Sequence, residues 1–333
     1  MPLIMTLTTL SLLLFLSFTA VSARPSSRTV SVTSSSKAGI AGGGDGETDM
    51  KQFTTTGKVS WYYTWSLFSI DNTDLEFVPM LWGEKDISQW TDASDGINAT
   101  ISKTKPAAIL AMNEPQEKGQ SNLTPQQGAD MWKTYLEPLR AHGIRLGSPA
   151  PSSAPSGKTW IQDFLTACNG GCTVDFIALH WYDVNATKFI NYLNDFHDTF
   201  QRPIWVTEWA CQNFNNGPQC TAPQVAQLLE QTQGFMDSTD WVERYSWFGI
   251  MRDLQGVNTL DAMMTTKGDI TDLGKQYIGA EPAKTSGAPP SGTGGSDPGL
   301  PGLPTGAATS LMTPRWWALP WGMVPILLFA LLL

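Results

Sequence analysis

Histidine and cysteine are scarce in this 333-residue chain, which holds three of the first (His142, His180, His197) and four of the second (Cys168, Cys172, Cys211, Cys220). No two histidines fall in an H-x-H or H-E-x-x-H arrangement, and the C-x3-C and C-x8-C spacings are poor for zinc. Neither a metal nor another cofactor is therefore expected. Basic residues are also few and never form a run: 21 Lys and Arg against 30 Asp and Glu leave a net charge of −9. That balance argues against nucleic acid and against an anionic ligand as the principal partner, and favours a neutral substrate.

Charge is missing altogether from the two ends. Met1 to Ala23 carries an apolar core around Leu12–Leu16 and closes on the small residues Val21-Ser22-Ala23, the pattern of a secretory signal cut after Ala23. No charge follows Arg315, and the apolar tail from Trp316 to Leu333 is interrupted by Pro320 and Pro325. Ahead of it stand Gly306-Ala307-Ala308 and a spacer from Thr309. This is the pattern of a GPI-anchor signal, with attachment near Gly306 and residues 309–333 as its propeptide; a single transmembrane helix is the competing reading. The expected protein is a secreted monomer, held at the outer face of the plasma membrane or in the cell wall, whose contact with a membrane is the anchor alone.

Apolar residues are thin in two further stretches. Residues 24–57 are rich in Ser, Thr and Gly and are expected to be disordered; residues 280–308 add Pro and read as a stalk. The remaining 58–279 is long enough for one large core and near the size of a compact barrel. In an oxidising compartment the four cysteines allow three pairings, of which the local one, Cys168 with Cys172 and Cys211 with Cys220, is favoured. Three sequons, at Asn98, Asn122 and Asn185, suit a secreted protein.

Within 58–279, apolar strands alternate with helices. Lys58–Trp65, Phe77–Gly83, Ala107–Met112, Ile144–Pro149, Val174–Tyr182, Pro203–Thr207 and Arg244–Gly249 read as seven strands. Helices between them are marked by capping boxes at Thr124/Gln127 and Thr221/Gln224, and by a stripe of Phe189, Leu193, Phe196 and Phe200. Pro138 should kink the last turn of the first. Repeated strand–helix units call for a parallel (β/α)8 TIM barrel. An eighth strand is sought between Trp65 and Phe77, where Ser66–Ile70 is too short, so the barrel is expected to be irregular or incomplete near its second strand.

Two strands end in a carboxylate: Asn113-Glu114-Pro115 follows one, and Glu208 follows Ile204-Trp205-Val206-Thr207. A carboxyl pair at the strand ends of one barrel is the minimum for glycoside hydrolysis, one to protonate the leaving oxygen and one to attack or to activate water. These motifs resemble the large clan of retaining barrel glycosidases. Together with Trp61-Tyr62-Tyr63, Val78-Pro79-Met80-Leu81-Trp82-Gly83 and Ile177-Ala178-Leu179-His180-Trp181-Tyr182, they resemble glycoside hydrolase family 128, the fungal Asl1-like endo-β-1,3-glucanases of wall glucan. The resemblance implies Glu114 as general acid/base and Glu208 as nucleophile, with β-1,3-glucan as substrate. It further implies Asn113 on the sugar 2-hydroxyl and Tyr182 holding the nucleophile ionised. His180 is either a substrate contact or a satisfied core histidine. A glucan presents apolar C–H faces, so Trp61, Tyr62, Trp82, Trp181, Trp209 and Trp247 are candidate sugar platforms, some of which should turn out to be core. Another β-glycanase, such as a mannanase, and a non-catalytic glucan-binding wall protein remain as alternatives.

Overall fold

The computed structural model describes residues 36–280 apart from residue 45; the signal, the stalk, Gly306 and the anchor tail lie outside the described residues. Eight parallel strands are present among them: β1 Ala38–Ala41, β2 Val59–Tyr63, β3 Glu76–Phe77, β4 Ala108–Ile109, β5 Arg145–Leu146, β6 Ile177–Asp183, β7 Ile204–Cys211 and β8 Val242–Trp247. Six follow the order β3-β2-β1-β8-β7-β6 and two pair as β4-β5. Single parallel bridges, Met80 to Leu110 and Gly147 to Phe176, carry the seams on either side of that pair. The ring is thus wound once, in sequence order, as a (β/α)8 barrel.

The strand that completes the ring is not Ser66–Ile70. It is β1, inside the segment expected to be disordered, where Ala38, Ile40 and Ala41 are fully buried and the strand pairs with both β2 and β8. Part of the segment expected to be disordered, from residue 36 onward, therefore belongs to the barrel. Gly39 is what lets β1 sit there, because a Cβ at that position would come within 2.2 Å of the buried Trp61 indole. The loop 66–70 is pinned instead of paired: the Tyr62 hydroxyl donates to the Ile70 carbonyl and accepts the Ile70 N–H, each at 3.0 Å.

Eight α-helices accompany the strands in the described residues: α1 Glu47–Lys51, α2 Ile87–Trp90, α3 Ile97–Thr104, α4 Pro125–Met131, α5 Pro155–Cys168, α6 Ala186–Phe200, α7 Ala222–Ser238 and α8 Asp272–Tyr277. Both expected capping boxes are formed, at Thr124/Gln127 opening α4 and Thr221/Gln224 opening α7. After Met131 the chain widens into a π turn, Trp132–Leu136, and then tightens into a 3-10 turn, Glu137–His142. Pro138 lies at the start of that tighter turn, where a missing N–H costs nothing, so the helix changes type rather than kinking. The disulfides are Cys168–Cys172 and Cys211–Cys220. Asn98, Asn122 and Asn185 are all exposed.

The core has two layers. Inside the ring lie Trp61, Tyr63, Met80, Leu110, Phe176 and Trp205 among others. At the floor of this layer the Arg244 guanidinium stacks 4.5 Å from the Trp205 ring and donates to Glu76 Oε2 at 2.6 Å. A larger layer fills the space between ring and helices.

Candidate active site

Strand alternation decides which side chains reach the interior. Along β6, Ala178 belongs to the inner layer while Ile177, Leu179 and Trp181 belong to the outer one, so His180 and Tyr182 face in. Along β7 the same rule would send Glu208 outward, since Trp205 is inner and Val206 outer. A β-bulge at Thr207–Glu208 prevents this. On the β6 side Leu179 pairs with Val206 and His180 with Glu208; on the β8 side Val206 pairs with Tyr245 and Trp209 with Trp247. One extra residue in β7 thus turns Glu208 in and Trp209 out, a re-aiming typical of bulges beside active sites.

Glu114 is aimed by strain rather than by a strand. Its φ is 38°, in the left-handed region that a non-glycine residue occupies at a cost of about 1–3 kcal/mol. The backbone around it is tied down: Glu114 N–H donates to the Ala150 carbonyl at 2.7 Å, and Asn113 N–H to the Trp82 carbonyl at 3.0 Å.

The two carboxylates meet over the mouth of the barrel. Glu208 accepts from Trp65 Nε1 at Oε1 (2.7 Å) and from the Tyr182 hydroxyl at Oε2 (2.6 Å). His180 Nδ1 lies 2.9 Å from Glu114 Oε1 and 3.4 Å from Glu208 Oε2. One atom each from Glu114, His180 and Glu208 form a set within 4.8 Å of one another, close enough for a cation to bridge. Both Glu208 oxygens already accept from aromatic donors, however, which suits a carboxylate held in one orientation better than a metal ligand. Burial pushes the Glu114 carboxyl up, and the Glu208 charge adds to this, although the bond and charge from His180 pull the other way. For His180 burial alone would lower the pKa, but Glu208 and Glu114 together carry it above its usual value. The site therefore retains protons that free side chains would have lost, and Glu114 is suited to act as an acid.

Of the residues expected at the site, the fold brings together Glu114, Glu208, Asn113, His180 and Tyr182. Asn113 Nδ2 donates to Gln120 at 3.1 Å, while its buried Oδ1 has no partner among the described residues and stays open to a hydroxyl. Trp82 is an inner-layer residue next to this turn, with Lys85 Nζ 3.5 Å over its ring. The other expected platforms are core. Trp61 is fully buried in the inner layer, its Nε1 donating to the Lys37 carbonyl at 3.1 Å, and Tyr62 is spent on Ile70. Trp181 packs edge-on against Phe189 of α6, Trp209 donates to Thr232 of α7 at 3.0 Å, and Trp247 to the Asp261 carbonyl at 3.0 Å. These last three point to the helix layer by strand parity.

Three aromatics not among the candidate platforms lie beside the carboxylates instead. Trp65 holds Glu208 directly; Phe248 packs 5.8 Å from both Trp65 and Tyr182; Phe214, 46% exposed, sets its ring 5.3 Å from Tyr182. Trp65 was reachable from the sequence, since Trp61, Tyr63 and Trp65 follow the inward period of two. Nothing in the residues around Phe214 marks it except its place between the paired Cys211 and Cys220.

A barrel with two glutamates this close at the ends of its fourth and seventh strands is the architecture of a glycoside hydrolase. The family described as glycosyl hydrolase catalytic core matches residues 39–277. The chain belongs to this family, within glycoside hydrolase family 128. It is 33% identical over 225 residues to alkali-sensitive linkage protein 1 of Schizosaccharomyces pombe, a match covering 66% of this chain and only 40% of that protein. Among solved structures, it is 29% identical to an exo-β-1,3-glucanase of subgroup V from Cryptococcus neoformans, covering 73% of this chain and 98% of the other with a TM-score of 0.64. It is 26% identical to a subgroup I endo-β-1,3-glucanase from Amycolatopsis mediterranei in complex with laminaritriose, covering 74% and 100% with a TM-score of 0.60.

Proposed function

We propose that the protein hydrolyses β-1,3-glucan with retention of configuration, cutting within chains. The observation that carries the mechanism is the spacing of the carboxylates: one oxygen of Glu114 lies within 4.8 Å of one of Glu208. Retaining pairs stand about 5–5.5 Å apart and inverting pairs about 6.5–9.5 Å, the larger gap admitting a water. Glu208 attacks C1 as Glu114 gives its proton to the departing glycosidic oxygen, leaving a glycosyl ester on Glu208. A water then loses a proton to Glu114 and attacks C1, which frees Glu208 and restores the acid. The relatives that act on or bind β-1,3-linked glucose support the substrate class.

An exo mode is the second reading, supported by the exo-acting Cryptococcus relative, whose identity to this chain is slightly the higher of the two solved structures. Incubation of the protein with laminarin, mannan and xylan tests all of this. Release of mixed laminari-oligosaccharides from laminarin, with none from the others, is the expected result; glucose as sole early product would shift the mode to exo. Hydrolysis of mannan alone would remove the substrate, and undiminished activity in Glu208→Gln would remove the mechanism. We also place the enzyme at the cell surface, on the strength of its terminal signals and of two disulfides that suit an oxidising compartment.

A further inference from the structure

The bulge that turns Glu208 inward is itself held from two sides. The Thr207 carbonyl, immediately before Glu208, accepts the Tyr63 hydroxyl at 2.9 Å and the Ser246 hydroxyl at 2.6 Å. Tyr63 ends β2 and Ser246 belongs to β8, and both are fully buried. Ser246 reaches the carbonyl from the strand beside β7, and Tyr63 from farther round the ring, with β1 and β8 standing between β2 and β7. Tyr63 also sets its ring edge-on to Trp65 at 5.1 Å, and Trp65 donates to Glu208. No chemistry assigned to the site uses either hydroxyl.

We propose that Tyr63 and Ser246 are positioning residues that clamp the Thr207 carbonyl and so fix the reach of Glu208. A bulge adds a residue whose peptide lacks the two-sided ladder that holds a regular strand, so its backbone is free to rotate unless side chains hold it. Rotation of the 207–208 peptide would swing the carboxylate sideways from its attack line, and a misplacement of about 1 Å at a reacting group can cost about 100-fold in rate. The Ser246 hydroxyl prevents this through backbone alone, whereas the Tyr63 hydroxyl also interacts with the Glu208 carboxylate, whose two oxygens accept from Trp65 and Tyr182. Substrate contacts are untouched by the clamp, so its loss should appear in kcat and not in KM.

This inference rests on Glu208 being the nucleophile. Tyr63→Phe and Ser246→Ala, singly and together, test it, since each removes one oxygen and keeps the packing. Each single variant is expected to lose about threefold to tenfold in kcat on laminarin and the double variant about 100-fold, with KM within about twofold. Labelling of Glu208 by a 2-deoxy-2-fluoro laminaribiosyl fluoride, followed by intact mass, should slow in the same ratio. A folded double variant with wild-type kcat and labelling rate overturns the clamp, and if the double variant does not fold, single variants with unchanged kcat do so. Failure of the wild type to cleave laminarin would count against the proposed function alone. Crystal structures of the single variants then decide the clamp, which is overturned if the Glu208 carboxylate stays bonded to Trp65 and Tyr182 as in the wild type.

Discussion

His180 lies between two carboxylates and governs the proton on one of them. Its bond and charge pull the Glu114 carboxyl down, against burial and the Glu208 charge that push it up. Removing the imidazole takes away the downward pull, so Glu114 keeps its proton to a higher pH. In His180→Gln the alkaline limb of kcat/KM should therefore move upward while the maximal rate falls. A limb that stays put or moves down would show that His180 acts elsewhere. Phe214 is a different kind of residue, since it touches Tyr182 from the open side and contributes to no core cluster. Its exposed ring suits the C–H face of a sugar beyond the one attacked, so Phe214→Ala should raise KM for laminaripentaose about threefold to tenfold and leave kcat and melting temperature near wild type. An unchanged KM would return Phe214 to the ordinary surface.

At the level of elements, the two glutamates were legible because each ends an apolar run, but the tryptophans beside them were not sorted by that signal. Sorting needs the parity of each strand. In β6 plain alternation suffices, and it sends Trp181 outward once His180 is inward. In β7 parity changes at Thr207, which only the pairing with β6 and β8 reveals, so Trp209 could not be placed from its own strand. The turn Thr259–Asp261 shows a second feature outside the reach of local pattern. Asp261 is fully buried, accepts Cys211 N–H at 3.1 Å through Oδ1 and Trp247 Nε1 at 3.0 Å through its carbonyl, and so ties the ends of β7 and β8 together. Burial raises its carboxyl to about 7, with the Cys211 N–H opposing. Between about pH 4 and 7 the unfolded chain has lost this proton and the folded one has not, so stability must fall as pH rises through that window. Asp261→Asn keeps the acceptor for Cys211 and cannot ionise. Its melting temperature should match wild type near pH 4 and exceed it at pH 7.5; parallel melting curves across the window would refute the assignment.

For the whole molecule, the part hardest to read was where the domain begins. Averaged over 24–57, Ser, Thr and Gly outweigh the apolar residues, and a four-residue strand, Ala-Gly-Ile-Ala, is too short to show a period. Its burial comes entirely from what surrounds it. Residues 36–57 are fastened to the last third of the domain at several points: Lys37 Nζ donates to the Met236 and Thr239 carbonyls at 2.9 and 2.8 Å at the end of α7, and Arg252 makes two bonds to Asp49 at 2.9 and 3.0 Å. Gln52 donates to the Gly268 carbonyl at 2.7 Å and accepts Ile270 N–H at 2.9 Å. Without this segment β2 and β8 would each show a bare edge to solvent, and the Lys37 acceptors at the end of α7 would be left without their donor. A chain of residues 58–279 should therefore fail to melt cooperatively and show no hydrolysis of laminarin, whereas 36–280 should melt cooperatively and hydrolyse laminarin as 24–280 does. Circular dichroism melts and a reducing-sugar assay on the three chains decide this. A cooperative, active 58–279 chain would mean that β1 covers a ring able to close without it.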